Sequence, residues 1–155
     1  MSADRVLVIR HGALGDLVQS MGPFKAIRAH HPGAEITLLT APAFAIFMAN
    51  CPWFDRVWQD RRPSWHQITE WLHLRRRLAE GGFRRVYDLQ TSSRSSLYIH
   101  AFPSRKRPEW SGIAPRASHI HGNPDRDRMH TLERQAEQLA VAGIDAVPPP
   151  DLSWV

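Results

Sequence analysis

The chain has 155 residues, of which 43% are hydrophobic and 23% are charged, and these values fit a single globular domain with one core. No apolar run approaches the roughly 18 residues of a membrane span. The apolar run at 6–9 is too short for the core of a signal peptide. Cys51 is the only cysteine, so an intrachain disulfide is excluded and we expect a reducing, cytoplasmic location.

The net charge is +5, and almost all of the positive charge is arginine. The planar guanidinium suits carboxylates and phosphates, so nucleic acid, anionic lipid headgroups and phosphorylated sugars are all admissible partners. A solvated basic surface accounts for the charge equally well. The sequence has no helix-turn-helix, no RNA-motif aromatics and no zinc-finger spacing, so we expect no nucleic-acid partner.

Strands and helices alternate along the sequence, which predicts an α/β fold with a mostly parallel sheet. The predicted strands are 5–10, 35–39, 56–59 and 85–90, with an edge strand near Glu109. The predicted helices are 17–31, 42–51, 68–80, 95–102 and 130–142. Pro23 either kinks the first helix or marks a late start. In the last helix, Leu132, Ala136 and Leu139 share the face that we expect to be buried.

The C-terminal segment contains Pro148, Pro149 and Pro150, a stiff polyproline-type spacer. We therefore predict a Rossmann-like domain over 1–146 and the start of an interdomain linker over 147–155.

The most informative stretch is RHGALGD at 10–16, directly behind the first strand. Ligands of an open parallel sheet bind outside the carboxyl ends of its strands, where this loop must lie. Its spacing is neither a dinucleotide fingerprint nor a Walker loop. Gly12 and Gly15 allow backbone amides to approach a ligand, and the helix start favours negative charge. Asp16 is either the N-cap of that helix or a general base, and the local sequence leaves both roles open.

Four segments of the sequence together resemble glycosyltransferase family 9, the ADP-heptose:lipopolysaccharide heptosyltransferases. They are 6–45 with its GALGD block, FDRVWQD at 54–60, VYDLQTSSRSSL at 86–97 and HTLERQAEQLAVAGI at 130–144. Members of this family have two Rossmann-like domains facing across a cleft, the GT-B arrangement, with the acceptor in the N-terminal domain and the nucleotide-sugar donor in the C-terminal one. The resemblance covers the first domain only, so it implies a donor-binding domain outside these 155 residues.

The resemblance implies a role for each candidate site residue. Asp16 matches the proposed general base, which takes the proton of the acceptor hydroxyl in an inverting transfer. The implied substrate-binding residues are Arg10, Gly12, Gly15, Arg61, Arg62, Gln90 and Arg94. Among them, Arg61 and Arg62 follow the third strand, where family members place arginines that clamp the acceptor.

The resemblance also implies the partners. The acceptor is an anionic glycolipid, the lipopolysaccharide core, and the donor is a nucleotide-activated sugar such as ADP-heptose, used as a substrate and not as a cofactor. We expect no metal, because the spacing of His119, His121 and His130 matches no zinc pattern. Such an acceptor is compatible with a peripheral contact at the inner face of the cytoplasmic membrane.

Several alternatives stay open at this point. The chain is either part of an enzyme or a non-catalytic half-protein that binds an anionic glycan or a partner chain. His11 either touches substrate or is a bystander. The run 75–77, three arginines within a helix, is expected to be a solvated face. Four tryptophans are expected in the core or the cleft wall, or in one case stacked on a sugar: Trp53, Trp58, Trp65 and Trp71.

Overall fold

The structure is a computed structural model that describes residues 4–155. Its centre is one six-stranded sheet in the order β3-β2-β1-β4-β5-β6, in which every pairing is parallel. The strands are β1 (Arg5–Ile9), β2 (Glu35–Thr40), β3 (Arg56–Gln59), β4 (Phe83–Asp88), β5 (Glu109–Gly112) and β6 (His119–Ile120). The strand order reverses between β1 and β4, and a crevice outside the carboxyl ends of these two strands is where such sheets bind ligands.

Within residues 4–155, six α-helices cover the sheet: α1 (Leu14–Gln19), α2 (Met21–His30), α3 (Pro42–Met48), α4 (Ile68–Glu80), α5 (Ser93–Leu97) and α6 (Thr131–Val141). The first predicted helix is two helices, separated at Ser20. Pro23 lies in the first turn of α2, where its missing N–H leaves no helical hydrogen bond unmade. Because α1 precedes Pro23, the helical run does not start late; it is interrupted at Ser20, three residues before the proline. No helix of residues 4–155 is long and apolar enough to cross a bilayer.

The side chains of β1 alternate between two cores on opposite faces of the sheet. Val6 and Val8 pack into the core beneath α2, α3 and α6. Leu7 and Ile9 pack into the core beneath α4 and the helical turn at 98–101. All four side chains are buried, as expected for a central parallel strand.

Two details of the predicted fold are wrong. The strand near Glu109 is not an edge, because β6 pairs with β5 and takes the edge position. In α6, Leu132 is exposed, whereas Gln135 and Gln138 are buried beside Leu139. The reason is hydrogen bonding: the amide of Gln135 donates to the Gln19 carbonyl, and that of Gln138 donates to the Asp88 carbonyl. These two polar side chains take the place of part of the predicted apolar face, because they satisfy the carbonyl groups at the ends of α1 and β4.

The C-terminal segment 147–155 packs on α2 and α3. The Pro148 carbonyl approaches so closely that a Cβ at Gly22 would lie 2.1 Å from its oxygen. The indole of Trp154 packs 5.2 Å from the ring of Phe47, measured between centroids. Lys25 and Asp151 form an ion pair of 2.8 Å. We call 147–155, which packs along α2, the exit strap; its assignment as a linker stays a prediction.

Candidate functional site

The loop after β1 passes through the switch point of the sheet. Gly12 has a φ of +138°, which favours glycine, and a Cβ there would lie 2.4 Å from the ring of Phe44. Gly15 is different, because a Cβ there would meet no atom of residues 4–155 within 4 Å. The fold therefore explains the first glycine of the loop, and it leaves open space at the second.

Asp16 is the third residue of α1, not its N-cap. The N-cap is Ala13, whose carbonyl accepts the helical hydrogen bond from Leu17 at 3.0 Å. The Asp16 carboxylate folds back and accepts the Ala13 N–H at 2.8 Å through Oδ2, the reciprocal half of a capping box. The side chain is 46% exposed, so this carboxylate is held by the helix start and still reaches solvent.

Arg10 lies beneath Asp16 and is almost fully buried. Its Nη2 is 3.6 Å from Asp16 Oδ1. Its Nε donates to Ser20 Oγ at 3.1 Å, and its Nη1 donates to the Leu89 carbonyl at 3.0 Å. Burial lowers the pKa of Arg10, whereas the nearby charge of Asp16 raises it. Most N–H donors of the Arg10 guanidinium are taken up by partners within the protein. The geometry of Arg10 therefore suits the positioning of Asp16 better than the pairing of a substrate charge.

Gln90 joins the ends of β1 and β4. Its Oε1 accepts the backbone N–H of His11 at 3.0 Å and lies 3.5 Å from Arg10 Nη1. The next residue, Thr91, has a φ of +48° and is held by a 3.0 Å hydrogen bond from its N–H to Asp88 Oδ1. Arg10, Asp16 and Gln90, all predicted from the sequence, are thus brought together at the switch point.

His11 points to the opposite face of the sheet and is also buried. Its Nε2 lies 2.7 Å from Asp60 Oδ2, and the same oxygen accepts the hydroxyl of Tyr98 at 2.5 Å. Burial raises the pKa of Asp60, but the hydrogen bonds from His11 and Tyr98 outweigh it and hold that pKa below its usual range. Burial and the neighbouring Asp60 carboxylate both raise the pKa of Tyr98. Of the two roles left open for His11, this geometry favours a structural one.

The predicted clamp residues lie at the end of β3. Arg62 has a φ of +49°, and its N–H donates to Asp60 Oδ1 at 2.8 Å. The side chains of Arg61 and Arg62 are exposed, and neither forms an ion pair within residues 4–155. Arg94 is more restrained: its Nη1 donates to the Pro63 carbonyl at 3.0 Å, and its guanidinium stacks 4.9 Å from the ring of Trp71.

Asp88, at the end of β4, is a site residue that the sequence reasoning missed. It is fully buried, and burial raises its pKa to about 6. Its Oδ2 has no hydrogen-bond partner within residues 4–155. Asp60 and Tyr98 were missed as well. One signal was present for Asp60, which directly follows the predicted strand 56–59, where this fold collects polar side chains.

The histidines between 119 and 130 act separately. His121 lies 3.0 Å from Glu137 Oε1 through Nε2, and its Nδ1 accepts Arg126 Nε at 3.2 Å. His130 Nδ1 accepts the Leu132 N–H at the start of α6. Within residues 4–155 no group of three acidic, histidine or cysteine side chains could hold a metal ion.

The sheet order, the flanking helices and the loop at the switch point define an α/β, Rossmann-like fold, that of the N-terminal half of GT-B glycosyltransferases. Structural similarity extends to a glycosyltransferase family 9 protein from Veillonella parvula DSM 2008, with a TM-score of 0.76 and 20% identity over 96% of this chain and 44% of that one. It extends also to E. coli heptosyltransferase WaaC with ADP-2-deoxy-2-fluoro heptose, with a TM-score of 0.73 and 16% identity over 97% of this chain and 52% of that one.

A third neighbour is E. coli ADP-heptose lps heptosyltransferase II, with a TM-score of 0.69, 16% identity, and coverage of 96% of this chain and 46% of that one. The chain thus spans about half the length of the solved structures it matches. No family model matches the sequence, and no curated protein matches it. The resemblance found in the sequence is confirmed at the level of the fold.

Proposed function

We propose that this chain is the acceptor-binding domain of an inverting glycosyltransferase of the heptosyltransferase type, with Asp16 as general base. The observation that carries the proposal is the placement of Asp16. Its carboxylate stands at the switch point of the sheet, oriented by the Ala13 N–H and by Arg10, next to the open space at Gly15. A base must be oriented and must also be reachable by the acceptor hydroxyl, and Asp16 meets both conditions.

In this mechanism Asp16 removes the proton of the acceptor hydroxyl as its oxygen attacks the anomeric carbon of the donor sugar. The bond from that carbon to the nucleotide diphosphate breaks, and the diphosphate leaves with the electron pair. Attack and departure on opposite sides of the carbon invert its configuration. Arg10 carries a buried positive charge 3.6 Å from Asp16, and it holds the carboxylate in place for each turnover.

We propose the anionic lipopolysaccharide core as the acceptor, with Arg61 and Arg62 pairing to its carboxylates or phosphates. Their exposure and lack of ion pairs within residues 4–155 support this role. The proposed donor is a nucleotide-activated heptose, held by a C-terminal domain beyond these residues. This proposal draws on the neighbours, since E. coli heptosyltransferase WaaC has been solved with ADP and with ADP-2-deoxy-2-fluoro heptose. We place the protein in the cytoplasm, at the membrane that carries such an acceptor.

Calorimetric titration of the 155-residue chain with deacylated lipopolysaccharide core tests the acceptor assignment. We expect saturable binding that weakens as salt is added, because charge pairs between exposed groups are screened. A neutral oligosaccharide of similar size is the control and should not bind. Equal affinity for the two glycans, or no binding of either, would contradict the proposal.

A further inference from the structure

One flank of α4 leaves apolar side chains in solvent. Trp65, just before the helix, is 77% exposed, and Ile68 and Leu72, one turn apart on the helix, are 66% and 56% exposed. Leu97, at the end of α5, is 46% exposed and lines the same groove as Leu72. We call these four side chains the α4 patch. Such a cluster on one surface is a mark of an interaction site.

The patch is not needed to hold α4 on the sheet. The helix is held on the sheet by residues on another of its sides, Trp71, Leu74 and Leu78. These side chains pack into the core that contains Leu7 and Ile9. The helix runs from the carboxyl edge of the sheet, after β3, to the opposite edge, before β4. Its exposed flank therefore lies along the side of the domain, not on the edge that would face a second domain.

Positive charge borders the α4 patch. Arg75 lines a groove of about 350 Å³ together with Leu72 and Leu97. Arg76 is exposed, and its nearest carboxylate, that of Glu80, is also exposed and lies 4.0 Å away. Arg77 is different, because its guanidinium stacks 4.2 Å from the ring of Trp58 and so belongs to the fold. Arg75 forms no ion pair within residues 4–155, and the Arg76–Glu80 pair is long and solvent-exposed and so contributes little, which leaves both arginines able to meet a partner.

We propose that the α4 patch, with Arg75 and Arg76, docks the domain on the surface of an anionic lipid bilayer. Large exposed apolar side chains beside arginines match a headgroup interface, in which apolar groups reach the acyl boundary and cations meet lipid phosphates. Exposed tryptophan such as Trp65 favours the same region. Further basic residues, Arg105 and Lys106, stand exposed in the turn at 104–106, which follows Pro103, a residue that lines a second groove together with Leu72.

The α4 patch begins at the candidate site. The ring of Trp65 stacks on that of Trp71 at 5.6 Å between centroids, and Arg94 lies over the same Trp71 ring. Arg94 in turn holds the Pro63 carbonyl, next to the predicted clamp residue Arg62. A glycolipid whose sugars reach the carboxyl edge could therefore keep its acyl chains in the bilayer beside α4. The placement of a glycolipid rests on the proposed acceptor, whereas the binding of the α4 patch to a bilayer does not.

Vesicle flotation of the 155-residue chain tests the proposal. We expect binding to vesicles of phosphatidylglycerol and phosphatidylcholine and little binding to phosphatidylcholine alone. Replacing Ile68 and Leu72 together by glutamate should weaken binding at least about tenfold, since apolar area is lost and negative charge is gained. Reversing Arg75 and Arg76 to glutamate should also weaken it at least about tenfold, because each basic residue near such a surface contributes about fivefold. The matched control is Ile46→Glu on α3, where the wild-type side chain is 85% exposed on the other face of the sheet.

A second measurement locates the contact directly. Lipids brominated in the acyl chain should quench the fluorescence of Trp65, seen as the difference between the wild-type chain and Trp65→Phe. Vesicle binding that survives both double substitutions, or no binding to anionic vesicles, would overturn the proposal. So would loss of self-association, measured by sedimentation, with vesicle binding unchanged, because the patch would then bind a second copy of the chain.

The membrane proposal and the proposed function fail separately. Titration of the α4 variants with soluble, deacylated lipopolysaccharide core should give the wild-type affinity, since that glycan needs no bilayer. If the α4 variants lose vesicle binding and keep glycan binding, the α4 patch is supported as the bilayer-docking surface. Vesicle binding without glycan binding leaves the surface standing and contradicts the proposed acceptor.

Discussion

Arg10 and His11 are consecutive residues whose side chains lie on opposite faces of the sheet. Arg10 reaches Ser20 at the junction of α1 and α2, while His11 reaches Asp60 at the end of β3. Both side chains are buried and both carry polar contacts. Consecutive side chains of an extended segment point to opposite faces of the sheet, so Arg10 and His11 must point apart. Their contacts connect the layers on both faces of the sheet to the end of β1.

Replacement of Asp16 by asparagine should separate chemistry from structure. Asparagine keeps an oxygen that can accept the Ala13 N–H, so we expect a melting temperature close to that of the wild type. It cannot accept a proton, so turnover should fall about 10²–10⁴-fold, the usual contribution of general base catalysis. The measurement requires a two-domain protein, made by joining this chain to the donor-binding domain of a structural neighbour.

Asp145→Asn is the matched control for that experiment, because Asp145 is exposed in the loop after α6. It should change neither property. A stable Asp16→Asn enzyme with wild-type turnover would remove Asp16 from the catalytic role.

The two loop glycines should respond in opposite ways to alanine. Gly12→Ala forces a Cβ against Phe44 at a positive φ, and we expect a loss of about 1–3 kcal/mol in the free energy of unfolding. Gly15→Ala meets open space within a helix and should leave stability unchanged or raise it by about 0.4–1 kcal/mol. Denaturant titrations of both variants measure these changes. A weaker affinity of Gly15→Ala for the acceptor, without loss of stability, would show that the space serves the ligand.

Asp60 should make the fold sensitive to acid. Its pKa is lower in the folded chain than in the unfolded chain. Such a carboxylate stabilises the fold above its unfolded pKa and loses that contribution as the pH falls through the folded one. Asp60→Asn should therefore lower the free energy of unfolding at pH 7 by about 1–3 kcal/mol, and the difference from the wild type should shrink below about pH 4. Urea titrations across this range check the prediction, and a difference independent of pH would contradict it.

Asp88 should have the opposite pH dependence. Burial raises its pKa from 3.8 to about 6, so ionisation opposes folding, and stability is lost as the pH rises between these values. The full effect corresponds to roughly 3 kcal/mol. Asp88→Asn keeps an acceptor for the Thr91 N–H and cannot ionise. We expect this variant to lose the decline between about pH 4 and pH 6, and a wild-type pH profile in Asp88→Asn would assign the decline to another group.

Arg61 and Arg62 should matter for binding and little for folding. Their joint replacement by alanine should weaken binding of deacylated lipopolysaccharide core by roughly 1.5–3 kcal/mol for each charge-assisted pair lost. The melting temperature should change little, because exposed arginines contribute little to stability. Arg75→Ala with Arg76→Ala is the matched control in calorimetry. Unchanged affinity in the Arg61 and Arg62 variant would move the clamp elsewhere, with Arg94 next to be tested.

The sequence predicted the features that follow from periodicity and turn residues. The parallel sheet, the helix at 68–80 and the position of the GALGD loop at a strand end all follow from such local patterns. The burial of Gln135 and Gln138 does not, because their partners are the carbonyl of Gln19, 116 residues away, and that of Asp88, 50 residues away. Asp60 was overlooked for the same reason: its partners, His11 and Tyr98, come from other elements. Long-range polar contacts have no local signature.

The exit strap has a mechanical consequence for the candidate site. It lies against α2 at Gly22, where the backbone of Pro148 leaves no room for a side chain. The first turn of the same helix is preceded by Ser20, which accepts Arg10 Nε and so borders the Arg10–Asp16 pair. With ten residues, α2 is a rod roughly 15 Å long. A displacement of the exit strap is therefore passed to a stiff element whose first turn lies next to the Arg10–Asp16 pair, so the same helix supports both the strap and the acid.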